Sequence, residues 1–224
     1  MPKRALIEKR PWLVASITAA TAYYFLHGGR IPGLFEIALK GAGVALLAVY
    51  ALVRHRGTDS RQIAAVMVFG ALGDMAIEYR LEAGAAAFLI GHLIAIHLYL
   101  RHRRTALTIS EKATGAALLV LTPLVSVMLP DQREGVLLLG VYSLGLGAMA
   151  AAAWTSSFPR YRVGIGAVLF VASDLLIFSR FGPLAESAVP GLLIWPLYYF
   201  GQFLICTGVV GELRNRQRED RVFA

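Results

Sequence analysis

From Val163 to Phe181 the chain reads VGIGAVLFVASDLLIFSRF. Almost all of it is apolar; its one acidic residue is Asp174, and its one basic residue, Arg180, stands near the end. A helix needs about 20 mostly apolar residues to cross the hydrocarbon core of a bilayer, and this stretch has that length. A carboxyl inside such a run is expensive, so it calls for a reason. Seven further apolar runs lie on either side, at approximately 12–28, 33–53, 62–79, 83–100, 113–130, 134–156 and 190–211. Composition agrees with this reading. Of the 224 residues, 57% are apolar and 16% charged, with a mean hydropathy of +0.62, against roughly 45–50% and about 25% in ordinary soluble domains. That balance excludes a typical soluble globular domain, a disordered chain and a coiled coil, and the single cysteine, Cys206, excludes a disulfide scaffold. The expectation is an all-α, polytopic membrane protein with eight transmembrane helices, forming one integral membrane domain over residues 1–224.

The links between runs are short: Gly28 to Pro32, Arg54 to Arg61, and Arg80-Leu81-Glu82. Pro123 and Pro196 fall inside the fifth and eighth runs, where neighbouring helices or hydroxyls can satisfy the freed carbonyls. The first run follows a basic start (Lys3, Arg4, Lys9, Arg10) like that of a signal peptide. No small-residue cleavage site follows Tyr23-Tyr24-Phe25-Leu26, so it is read as the first span.

Charge placement gives the expected orientation. One side carries 17 of the 22 Lys and Arg: the N-tail, Arg54, Arg56, Arg61, Arg101, Arg103, Arg104, Lys112, Arg160, Arg162, Arg214, Arg216, Arg218 and Arg221. The other carries 4 (Arg30, Arg80, Arg133 and Arg180), and Lys40 lies within a run. By the positive-inside rule both termini are cytoplasmic. The expected location is the cell membrane. The net charge of +8 then reflects topology and contact with anionic membrane lipids, with no nucleic-acid partner. Oligomeric state is not legible.

Ionisable residues at membrane depth are functional candidates by default. They are Lys40, Asp74, His92 and Asp174, with Glu36, Glu78 and His97 nearer span ends and Tyr198, Tyr199 and Gln202 in the eighth run. Counting along each run places Lys40, Asp74, His92, Asp174 and Gln202 in one slab roughly 10–15 Å deep, at about 1.5 Å per residue. A single hydrated pocket is the expectation. Structural readings compete with it. Lys40 and Glu36 are spaced to pair along their own helix, Glu78 can reach the outer surface, and Tyr23, Tyr24, Tyr198 and Tyr199 suit an interfacial aromatic belt. The two aspartates have no basic neighbour at helical spacing.

A shift of 100 residues lays Asp74 on Asp174, with Val68 on Val168, Ile77 on Ile177 and Arg80 on Arg180, which is 4 identities in the 16 positions from 65 to 80. A repeat of this kind implies two parallel four-helix halves, 1–105 and 106–224, related by an axis along the membrane normal.

Four pieces of the chain carry a family resemblance: Lys40 inside the second run, Leu72-Gly73-Asp74 in the third, and Gly84, Phe88 and His92 at steps of four in the fourth. The last is Gly166 to Asp174 (GAVLFVASD) followed by Tyr198-Tyr199-Phe200-Gly201-Gln202. In these the chain resembles the YhhN-like lysoplasmalogenases, multi-span membrane enzymes. One departure is Gly41, where the family commonly has proline after the lysine. The resemblance implies a hydrolase of the vinyl ether bond of lysoplasmalogen, a lysophospholipid with an ethanolamine or choline head, releasing a fatty aldehyde. The expectation is that no metal and no cofactor takes part.

The residues suit that chemistry. Vinyl ether hydrolysis needs an acid to protonate carbon and a base or cation stabiliser, and two carboxyls in different environments can divide these tasks. Asp74 and Asp174 are the catalytic candidates, either in either role. Lys40, Glu78, His92, Tyr198, Tyr199 and Gln202 are candidates for binding substrate or supporting the carboxyls. Phe88, Phe170 and Phe178 suit an alkenyl chain. Two other classes use the same charges: a proton-coupled transporter of a small molecule or lipid, and a metal site built from Asp74, Asp174 and His92. A non-catalytic lipid-binding protein would tolerate substitution of the aspartates.

Overall fold

The structure, a computed structural model, describes residues 11–29 and 33–222. The charges on Lys3, Arg4, Lys9, Arg10 and Arg30 lie outside the described residues. Among the described residues eight α-helices follow one another: α1 (Pro11–Leu26), α2 (Gly33–Arg54), α3 (Thr58–Ala76), α4 (Leu81–Arg101), α5 (Ile109–Met128), α6 (Val136–Thr155), α7 (Ile165–Ser179) and α8 (Val189–Val222). One π-helical turn, Arg160–Gly164, leads into α7. Each apolar run read from the sequence coincides with one helix. The last is longer than its run, because α8 continues beyond the apolar residues through Glu212 and Arg214 to Arg221.

Six of these helices are long and apolar enough to cross a membrane: α2, α4, α5, α6, α8 and the Arg160–Ser179 segment containing α7. The other two differ for visible reasons. α1 has 16 residues, and α3 opens on the polar sequence Thr58-Asp59-Ser60-Arg61-Gln62. Surface chemistry matches an apolar solvent. α5 exposes Leu119, Val120, Leu121, Leu124 and Val125, while it buries Gly115, Thr122 and Ser126. α6 exposes Leu137, Leu138, Val141 and Leu144 and buries Tyr142 and Ser143. In water this pattern would be inverted; in lipid, helices associate through small and polar residues.

The chain falls into two compact units, Met1–Gly91 with Val210–Ala224, and His92–Val209. In the first, α1 packs on α2 and α2 on α3. The Ser16 hydroxyl donates to the carbonyl of Gly43 at 2.5 Å, which satisfies a buried hydroxyl across a helix pair. α3 meets the start of α4 through Gly73, where a Cβ would lie 2.8 Å from the ring of Phe88. Glycine at that point lets the aromatic ring sit directly on the α3 backbone, one residue before Asp74.

In the second unit, α5 and α6 pack together, and α7 packs on α6. α7 and α8 touch through Gly166 and Gly201, where a Cβ on either would come within 2.7 Å of the other's carbonyl oxygen. α5 begins with a capping box: Thr108 Oγ1 accepts from Glu111 N–H at 3.3 Å, and Thr108 N–H donates to Glu111 Oε2 at 2.7 Å. Glu111 Oε1 also takes Arg104 at 3.2 Å and an ion pair from Arg160. The Arg160 guanidinium lies 5.7 Å from the Trp154 ring. Ser157 N–H donates to His102 O at 2.7 Å and Arg104 N–H to Thr155 O at 3.3 Å, tying the link after α4 to the end of α6.

Candidate functional site

Lys40, Asp74 and Glu78 belong to the first unit. Lys40 sits inside α2 with its side chain 14% exposed, and its ammonium is ion-paired with Glu78, just past the end of α3. The Nζ also lies 5.7 Å from the ring centre of Tyr23 on α1. This corrects one reading of the sequence: Lys40 does not pair with Glu36 along its own helix, and Glu36 accepts the Gly28 N–H at 3.1 Å instead. Glu78 is exposed and pairs with the lysine as well. Two antiparallel neighbours joined by a short link bring residues 38 apart in sequence together, and a buried ammonium gains more from a carboxylate plus an aromatic face than from one partner. Asp74 is buried in α3, 3% exposed, with the Gly73–Phe88 contact beside it.

His92, Asp174, Tyr198, Tyr199 and Gln202 belong to the second unit, and all five are buried. Asp174 accepts a hydrogen bond from the hydroxyl of Tyr142 on α6, at 2.5 Å to Oδ2. The ring of His92 on α4 is tilted against Tyr142 at 5.8 Å and meets Phe170 edge-on at 5.1 Å. Phe170 in turn meets Tyr198 edge-on at 5.2 Å. Trp195 stacks on Tyr199 at 6.1 Å. Tyr198 and Tyr199 are therefore core aromatics and not belt residues, and Tyr23 is likewise buried. Ser173 donates to the carbonyl of Ile194 at 3.0 Å, in the turn of α8 that leads into Pro196.

Buried polar atoms of this unit with no hydrogen-bond partner among the described residues include His92 Nε2 and Gln202 Oε1, along with Tyr99 Oη, Ser126 Oγ, Ser143 Oγ, Trp154 Nε1 and Arg160 Nε. A buried polar atom without a partner is costly, so such atoms mark places where water or a ligand completes the bonding. Among the described residues, no three His, Cys, Asp or Glu side chains gather as metal donors. His97 is exposed on α4.

Tyr142 is the residue that sequence reading missed. Its signal was present but faint: Tyr142-Ser143 is a polar pair in an otherwise apolar run, and tyrosine in such a run reads as packing. Tyr23, under Lys40, was read only as a belt residue.

A chain whose described residues form six membrane-length helices, with carboxyls and a histidine buried among the helices and a half-buried lysine beside them, is an integral, multi-pass membrane protein. The chain belongs to the YhhN family, whose model matches residues 35–209 and so takes in Lys40, Asp74, His92, Tyr142, Asp174 and Gln202. That family is known as a lysoplasmalogenase family, and membership supports a hydrolase. No curated protein and no solved structure matches the chain.

Proposed function

We propose that this protein is a lysoplasmalogenase that hydrolyses the vinyl ether bond of a lysophospholipid, crossing the cell membrane eight times with both termini in the cytoplasm. The observation that carries the activity is the family match over residues 35–209, which includes both buried aspartates. The topology is supported by the split of 17 to 4 basic residues across alternating links.

In the proposed reaction a carboxylic acid gives its proton to the β-carbon of the vinyl ether. The π electrons form the new C–H bond, and an oxocarbenium ion remains. Water adds through oxygen to the α-carbon, losing a proton to a carboxylate. The hemiacetal hydroxyl then gives its proton to the carboxylate left by the first step as the C–O bond to the glycerol breaks, and the glycerol oxygen takes the proton that the other carboxyl gained from water. The products are a fatty aldehyde and a glycerophospho-alcohol, and the protein ends as it began. Asp74 and Asp174 are the proposed acid and base, with positioned groups of this kind worth about 10²–10⁴ in rate each. His92 and Gln202, each with an unpartnered polar atom, are proposed to hold the water or a glycerol hydroxyl. Lys40, held by Glu78, supports the Asp74 side of the chemistry by its charge. Phe170, Tyr198 and Trp195 supply apolar surface for the alkenyl chain.

The test is incubation of the purified protein with an alkenyl lysophospholipid and with its acyl and alkyl counterparts. Aldehyde released from the alkenyl lipid alone supports the reading. Uptake driven by a proton gradient in vesicles, with no aldehyde released, would favour a transporter.

A further inference from the structure

The carboxyl of Asp174 is held on one side only. Oδ2 takes the Tyr142 hydroxyl at 2.5 Å, a separation typical of an O–H meeting a carboxylate oxygen. No ion pair reaches Asp174 among the described residues; Arg104 and Arg160 of the same unit pair with Glu111. Oδ1 has no hydrogen bond among the described residues. The torsion that turns a carboxyl about its Cβ–Cγ bond is broad and roughly two-fold. Left alone, the two oxygens would exchange places freely.

Tyr142 itself is not free to move. Its ring meets Phe178 edge-on at 6.1 Å and 88°, and lies against His92 at 5.8 Å. Phe178 is one turn beyond Asp174 on α7. The clamp that holds the tyrosine ring is therefore built partly on the helix that carries the aspartate, and partly on His92, a residue with an unpartnered ring nitrogen. A phenol buried here without an acceptor would be costly, so the O–H is committed to Asp174.

We propose that Tyr142 is a positioning residue for the hydrolysis: it fixes the Asp174 carboxyl through Oδ2 and thereby presents Oδ1 as the oxygen that addresses water or substrate. This rests on the hydrolase reading above. Tyr142 does not touch the reacting atoms; it acts through Asp174, and pre-orientation of that kind affects turnover more than binding.

The test substitutes Tyr142→Phe, which removes the hydroxyl and keeps the ring in its clamp. Two readouts are taken on the same purified protein: steady-state hydrolysis of an alkenyl lysophospholipid, and the infrared carboxyl band identified by its loss in Asp174→Asn. The expected result is a kcat lower by about ten- to a hundredfold with KM within about twofold, and a displaced Asp174 band. An unchanged kcat with active wild-type protein overturns the proposal, as does a rise in KM alone with the band unmoved. If the wild type releases no aldehyde, the hydrolase reading falls. The infrared arm then still decides whether Tyr142 holds Asp174: an unmoved band overturns that bond and a displaced band supports it. Should Tyr142→Phe fail to fold, 3-fluorotyrosine incorporated throughout strengthens the donor without removing it, and the band must again move.

Discussion

The ammonium of Lys40 is paired with Glu78 and lies over the ring of Tyr23, so two helices and the turn after α3 meet at one cation. The pair is uneven: the lysine side chain is 14% exposed and the glutamate 40%. Removing the partner that reaches solvent is therefore gentler than removing the buried one. Glu78→Gln is expected to cost about 1 kcal/mol or less, as for a partly exposed pair. Lys40→Met leaves Glu78 able to turn outward and keeps the Tyr23 contact as an apolar one. The double variant should lose less than the sum of the singles. Thermal midpoints of the four proteins in one detergent check this, and strict additivity would mean the pair contributes nothing to stability.

The two-carboxyl scheme makes a sharp demand on Asp74 and Asp174. Each is buried, at 3% and 5% exposed, and asparagine preserves the volume of either. Asp74→Asn and Asp174→Asn should each lower turnover of an alkenyl lysophospholipid by about 10²–10⁴. Turnover near the wild-type rate in either variant, with the fold confirmed by its thermal midpoint, would sink the scheme.

Much of this was legible in the sequence. The eight runs coincide with eight helices because lipid demands a continuous apolar stretch and internally satisfied backbone, so length and composition alone mark the elements. Asp74 and Asp174 stood out for the same reason. Partnerships were harder to read. The helical i, i+4 rule sees only one helix, and it offered Glu36 to Lys40; the actual partner lies on the neighbouring segment, set by how α2 and α3 align. Tyr142 was hidden differently. Its ring packs like any core aromatic, and only the direction of its O–H toward Asp174 sets it apart. The bare polar atoms of His92 and Gln202 are likewise a property of packing, which no pattern of residues records.

Glycines at the helix contacts should differ in tolerance according to what faces them. At Gly73 a new Cβ would meet the Phe88 ring, a side chain that can rotate away; at Gly166 it would meet the Gly201 carbonyl, which cannot. Gly73→Ala is expected to cost about 1–3 kcal/mol, as overpacking commonly does, and to be partly relieved by Phe88→Leu. Gly166→Ala should cost more and find no such relief from a single side-chain change. The comparison is made by thermal midpoint, and equal losses at the two positions would contradict it.

Gln202 should show a trade between stability and activity. It is 2% exposed, and its Oε1 has no hydrogen-bond partner among the described residues. A buried acceptor left unsatisfied costs about 1–3 kcal/mol, and an apolar group of similar shape avoids that cost. Gln202→Leu should therefore raise the thermal midpoint. If the same oxygen holds water or a glycerol hydroxyl during hydrolysis, the variant should also lose turnover, by about tenfold or more, since functional sites commonly sacrifice stability. Measured together on one preparation, a higher midpoint with lower kcat fits a binding role. A lower midpoint with unchanged kcat would show that Gln202 serves packing alone, and that the oxygen plays no part in the chemistry.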